Sequence, residues 1–217
     1  MENIFAVYKP KGMTSHDVVD IVRKKTNVKR VGHGGTLDPL AEGVLVIAVG
    51  RENTKKLNEY VKGEKEYVAE IELGSESTTD DEEGIKTLRQ AQGKPAPSEK
   101  LIKQTLKKFT GKINQTPPLY SSIKIEGKPA HRRVRKGQEV KLEPREVEIK
   151  NIEILEYTFP VIKIKVQTGP GVYIRSLARD IGKELKTGGY LKSLIRTRVA
   201  NFRIENSIKI EELELNP

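Results

Sequence analysis

The sequence predicts an α+β fold, with a mixed, largely antiparallel sheet flanked by helices. Three observations lead there. Lys65–Leu73 puts Tyr67, Ala69, Ile71 and Leu73 on one face at period two, as in a half-buried strand. Tyr173–Leu185 puts Ile174, Leu177, Ile181 and Leu185 at helical spacing. Strand-like and helix-like stretches follow one another without strict βαβ alternation and without an internal repeat of fixed period.

In chain order, Ile4 to Tyr8 reads as the first strand. Thr14-Ser15-His16-Asp17 has the form of a capping box, and Val18, Val19 and Val22 carry a helix to about Lys25. The unbroken apolar run Val44-Leu45-Val46-Ile47-Ala48-Val49 reads as a buried strand. Thr78 to Gly84 is acidic and turn-like, and Gln90 to Ser98, rich in Gln, Gly and Pro, reads as a surface loop. Ser98 opens a helix whose stripe is Ile102, Leu106 and Phe109, with Gly111 as its end. Val147 to Val166 alternates twice around a break at Phe159-Pro160, the pattern of an antiparallel pair. Gly188-Gly189 stops the last helix.

A chain of 217 residues suffices for one sizeable core and is too short for several full domains. Forty Lys and Arg against 30 Asp and Glu leave a formal charge of +10. Such an excess suits a polyanionic partner, most simply nucleic acid, although a merely soluble basic protein has the same balance. With no cysteine, thiolate catalysis, disulfides and Cys-based zinc sites are excluded. His16, His33 and His131 show no metal-ligand spacing. The N-terminus carries no signal-peptide stretch, and no run reaches the roughly 18 apolar residues of a membrane helix, so a cytoplasmic location is the default.

The densest signal is Gly32-His33-Gly34-Gly35-Thr36-Leu37-Asp38-Pro39-Leu40-Ala41-Glu42-Gly43. It is a glycine-rich loop that delivers one carboxylate before a proline and then runs into the apolar strand. Pro39 fixes its own φ and keeps Asp38 out of the helical region. A plain turn has the same composition. Two phosphate-cradling motifs are ruled out: there is no G-x-x-x-x-G-K-[ST], and Leu37 stands where the last glycine of G-x-G-x-x-G would fall.

The string GHGGTLDPLAEGVL resembles the catalytic motif of the TruB family of tRNA pseudouridine synthases. The resemblance extends, in family order, to Lys9-Pro10-Lys11-Gly12-Met13-Thr14-Ser15, Lys65-Glu66-Tyr67, Tyr173-Ile174-Arg175-Ser176-Leu177 and Leu194-Ile195-Arg196-Thr197-Arg198. It implies a pseudouridine synthase fold over residues 1–217, with an RNA-clasping insertion at roughly 112–142. It implies isomerisation of uridine 55 in the T-loop of tRNA, by flipping the base into a pocket and attacking with an aspartate. On this resemblance Asp38 is the catalytic carboxylate and Arg175 its expected arginine partner. Tyr67, Tyr173 and Leu194 belong to the uracil pocket, and His33 supports base flipping. Lys9, Lys124, Arg132, Arg133 and Arg135 are RNA-contacting cations. Read without it, Arg175 is a helix-surface arginine, Tyr67 and Leu194 are core residues, His33 bonds its own loop, and Lys124 to Lys141 is a solvated basic face.

The resemblance further implies no metal, no cofactor, no membrane and no obligatory protein partner, with a monomer acting on the T-arm stem-loop. Most bacterial relatives carry a C-terminal RNA-binding domain. Since this chain reaches Pro217 soon after the last block, that domain is expected to be absent or truncated. Two other readings stand beside this one. An RNA-folding chaperone would use the same surface without turnover, and a guide-dependent synthase would need terminal extensions for partner proteins.

Overall fold

The computed structural model describes residues 3–89, 95–121, 123–125, 127–134 and 137–213. The strands are β1 (Ile4–Lys9), β2 (Val31–His33), β3 (Glu42–Val49), β4 (Lys65–Leu73), β5 (Ser75–Ser77), β6 (Lys86–Leu88), β7 (Gly111–Gln115), β8 (Lys124–Ile125), β9 (Lys128–Pro129), β10 (Arg145–Thr158), β11 (Val161–Thr168), β12 (Gly189–Val199), β13 (Phe202–Arg203) and β14 (Ile208–Lys209). The helices are α1 (Ser15–Thr26), α2 (Arg51–Lys62), α3 (Glu99–Lys108), α4 (Ala130–Val134) and α5 (Ile174–Glu184). The α+β class and the mixed sheet expected from sequence are what the chain forms. Among the described residues no helix is long and apolar enough to cross a membrane.

The chain divides into two compact units, one of Met1–Val68, Lys165–Pro170 and Leu194–Pro217, the other of Ala69–Ile164 and Gly171–Ser193. In the first unit the strand order is β14-β1-β3-β12-β4-β11, with β2 on β3 and β13 on β12. β1 runs antiparallel to β3 and parallel to β14, and β12 runs parallel to β3. Alternation sorts the side chains of β1 and β3 into two cores. Phe5, Val7, Leu45 and Ile47 pack with Val18, Val19 and Val22 of α1. Ala6, Val44, Val46 and Ala48 pack with Leu57 of α2. A helix on each face buries both sides of β3, which is why that strand reads as a continuous apolar run. Each such Val, Leu or Ile side chain contributes about 1.5–3 kcal/mol on burial.

α1 begins where the sequence places it. Thr14 Oγ1 accepts from Asp17 N at 3.1 Å and Asp17 Oδ2 accepts from Thr14 N at 2.8 Å, a reciprocal cap worth about 1 kcal/mol.

In the second unit the order is β12-β4-β11-β10-β7, with β10 antiparallel to β7. α3 is capped by Ser98 and buries Ile102 and Leu106. It ends at Phe109, two residues before the expected Gly111, which instead opens β7. α5 buries Ile174, Leu177 and Ile181 of the expected stripe together with Ala178, and the fourth expected residue, Leu185, is buried as its C-cap. α2 was not legible in the sequence. It buries Leu57 alone, and Gly50, its N-cap, has no side chain to cap with.

Candidate active site

In the first unit the Asp38 loop leaves β2, crosses to the start of β3, and is stitched to its surroundings from several directions. Gly34 N donates to Val46 O at 2.8 Å, and Gly12 N donates to Pro39 O at 2.8 Å. Ser15, the first residue of α1, closes a reciprocal pair with Leu37. Its Oγ accepts from Leu37 N at 2.8 Å and donates to Leu37 O at 3.0 Å. Ala41 N donates to Asp38 O at 3.0 Å, closing the turn that Pro39 begins. Asp38 is thus a half-buried carboxylate on a backbone whose flanking groups are satisfied, the preorganisation that a reacting group requires.

Arg196, which the sequence singles out only as one letter of a late block, lies in the middle of this construction. It is 2 % exposed. Its Nε donates to Val44 O at 2.8 Å, Nη1 to Thr36 O at 3.4 Å and Nη2 to Gly35 O at 3.1 Å. Burial works against its charge, whereas the Tyr67 phenol, in hydrogen-bonding reach, and the Asp38 carboxylate work for it. Tyr67 itself is buried, as its alternation in β4 requires. Leu194 is buried in β12 two positions before Arg196.

Two glycines of the loop flank this arginine, one required by its backbone and one by its own positive φ. Gly43 sits at φ 105°, opposite Arg196 in the β3–β12 pairing, and a Cβ there would fall 2.3 Å from Arg196 O. Gly35 sits at φ 108°, and a Cβ there would meet nothing nearer than Arg196 Nη1 at 3.8 Å. Gly43→Ala is therefore expected to destabilise by at least about 3 kcal/mol, since strain and a backbone collision add, whereas Gly35→Ala should cost about 1–2 kcal/mol from strain alone. Urea unfolding of the two variants checks the order, and equal costs would refute it.

Lys9 differs from its expected RNA-contacting role. The side chain is 0 % exposed, and Nζ donates to Pro10 O at 2.9 Å and Met13 O at 2.7 Å. Burial brings its pKa down to about 8, opposed by the Asp38 carboxylate. An ammonium with no accessible surface has no route to a phosphate, and here it braces the turn before α1. Lys65, the first residue of β4, is its counterpart, bonded to Gly63 O at 2.6 Å and to Val61 O, with burial again bringing the pKa to about 8.

His33 ends β2 and is half-buried, its ring edge-on to His16 at 6.3 Å. Burial lowers its pKa below 6.5, and the charges of His16 and Arg196 push the same way. Because the folded value lies below the unfolded one, the unfolded chain binds more protons just below pH 6.5, so stability from this group falls as pH drops through about 6.5. An imidazole NMR titration should give His33 a midpoint below 6.5. A midpoint at or above that value would contradict a neutral ring at pH 7.

The second unit holds the other matched block. Arg175 is buried on α5, and its guanidinium reaches Thr79, Asp81 and Tyr120. Nη1 lies 3.3 Å from both Thr79 O and Asp81 Oδ2, and Nη2 donates to Tyr120 O at 2.8 Å. Next to it, Arg179 pairs with Asp80 Oδ2 at 2.9 Å and donates to Thr116 O at 2.9 Å. The acidic turn Thr78–Gly84 thus supplies partners for two arginines of α5, which its composition alone did not reveal. Tyr173, the N-cap of α5, exchanges two hydrogen bonds with the Gln115 amide, at 2.8 and 3.1 Å. Of the insertion cations, Arg133 is half-buried on α4. The side chains of Lys124 and Arg132, and all of Arg135, lie outside the described residues.

With this geometry in hand, comparison with known proteins decides the family. Residues 23–174 match the family described as TruB family pseudouridylate synthase (N terminal domain). The chain belongs to that family. A tRNA pseudouridine synthase B of Corynebacterium diphtheriae is 46 % identical over 216 residues, covering 97 % of this chain and 72 % of that one. One of Dehalococcoides mccartyi is 44 % identical over 215 residues, covering 99 % and 70 %. Among solved structures, a chain of a Cbf5-Nop10-Gar1 complex is similar at 31 % identity and a TM-score of 0.74. The match covers 97 % of this chain and 53 % of that one, so the chain spans about half the length of that neighbour. The TruB-type blocks picked out in the sequence are thus distributed over both units, with the acid, the tyrosine and Arg196 in the first and Arg175 with its acidic partners in the second.

Proposed function

We propose that this TruB-family chain isomerises uridine to pseudouridine at position 55 in the T-loop of tRNA. The reaction breaks the bond between the base nitrogen and the ribose, turns the base, and rejoins it through carbon 5. Bonds broken and formed balance within the nucleotide, so no cofactor is required. Asp38 serves as the nucleophile. The observation that carries this reading is its placement: a half-buried carboxylate on a loop tied down on every side, in a chain 46 % identical to a tRNA pseudouridine synthase B. Tyr67, Tyr173 and Leu194 serve the extruded base, Arg175 serves the site as its structured cation, and His33 serves base extrusion as a neutral ring. Arg133, with Lys124, Arg132 and Arg135, serves the phosphates. The protein acts in the cytoplasm as a monomer.

Identity favours a stand-alone tRNA enzyme over a guide-dependent one, since the match is 46 % to the former and 31 % to a chain of a multiprotein complex. The direct test is pseudouridine mapping in unmodified tRNA treated with purified protein. One modified site in the T-loop is expected, and none in a tRNA whose target uridine is replaced by cytidine.

A substrate prediction follows from the same reading. An isolated T-arm stem-loop should react nearly as well as whole tRNA, because a folded loop with splayed bases is read by shape close to the reacting nucleotide. Affinity should fall steeply with salt as phosphate contacts release counterions. A preference for whole tRNA above about a hundredfold in kcat/KM, roughly 2.7 kcal/mol, would show that distant contacts dominate.

A further inference from the structure

We propose that Arg196 is a positioning residue for the Asp38 loop, tying the two ends of that loop to each other. The inference rests on the functional reading above for its effect on rate, and on geometry alone for the tie itself.

The geometry is a fork used on every prong. Gly35 and Thr36 precede Asp38, Val44 follows it, and the three carbonyls are taken by Nη2, Nη1 and Nε of one guanidinium. The planar head presents donors in fixed, divergent directions, which a lysine ammonium on a flexible stem cannot reproduce. The backbone is adapted to it on both sides. Gly43 lets β3 run against the Arg196 backbone, and Gly35 adopts the positive φ that turns its carbonyl region past Nη1 without any steric conflict.

The charge argues the same way. Arg196 is buried and donates to backbone carbonyls, and the Asp38 carboxylate favours its charged form. A buried cation satisfied mainly by carbonyls is an expensive way to fill a core, where a well-packed apolar side chain is often neutral or better. Stability alone does not account for a guanidinium at this position. A role for its charge and its directionality at the carboxylate does. Phosphate binding is excluded by burial.

The test uses Arg196→Lys and Arg196→Met in the full chain, read by amide hydrogen exchange and by single-turnover pseudouridine formation. In both variants the Gly34, Leu37 and Ala41 amides, which stitch the loop, should exchange at least roughly tenfold faster, with α3 amides unchanged. The single-turnover rate should fall roughly a hundredfold, the usual effect of a displacement near 1 Å, with RNA affinity within about threefold of the parent. Lysine should recover part of the rate that methionine loses, since it keeps the charge. Unchanged loop exchange would overturn the proposal. So would loosening that is equal in α3, or failure of both variants to fold, because Arg196 would then hold the fold as a whole rather than this loop. If the parent protein itself forms no pseudouridine, the functional reading fails, and the exchange arm still decides the tie.

Discussion

Asp38→Asn is expected to abolish pseudouridine formation, by at least roughly a thousandfold or about 4 kcal/mol, while RNA binding stays within a few fold. The amide is nearly the same size, so the stitched loop should keep its course through Ser15, Gly12 and Arg196. What is lost is the nucleophile. Affinity should persist because it comes from Lys and Arg contacts to phosphate, not from a single acid. Single-turnover assays beside filter binding separate the two. Turnover comparable to the parent would remove Asp38 from the chemistry.

Arg175→Lys should be nearly as damaging, although charge is conserved. The guanidinium serves Thr79 O, Asp81 Oδ2 and Tyr120 O at once, from a buried position on α5. A lysine head can satisfy part of this set, leaving buried acceptors without donors, at a cost of about 2 kcal/mol, or roughly 4–8 °C in Tm for a chain of this size. Turnover should fall by roughly a hundredfold with little change in KM, since the resemblance assigns this arginine to the active site. A variant with lowered Tm and normal turnover would leave Arg175 a purely structural role around the acidic turn.

The elements that sequence reading located are those whose pattern is written locally. The Thr14–Asp17 box lies within four residues, and the stripes of α3, α5 and β4 each lie within a dozen. What stayed hidden depends on partners far along the chain. α2 shows only a faint stripe because Leu57, helped by the partly buried Tyr60, seats it on a sheet face that β1 and β3 already fill. The short strands β2, β13 and β14 exist only by pairing with neighbours. Asp80 and Asp81 read as solvated acids because nothing near them announces Arg175 and Arg179, almost a hundred residues on. Lys9 reads as a surface cation because a lysine before a proline gives no sign that two carbonyls will enclose it. Asp38 was legible through resemblance, whereas the bonds of Arg196 to the carbonyls around its loop were not.

The position of β12 bears on how the protein reaches its working state. In the first unit it lies between β3 and β4, strands that are close in sequence, and Arg196 Nη2 finds Gly35 O across 161 residues. During synthesis β3 and β4 emerge long before the strand that separates them. The nascent chain must keep a slot open, with two unpaired edges, until β12 (Gly189–Val199) arrives. Closing that slot is a high-contact-order event, so it should be slow, and the waiting edges are natural places for mispairing with other chains. Catalytic competence should therefore appear late in refolding, after most helical signal has returned.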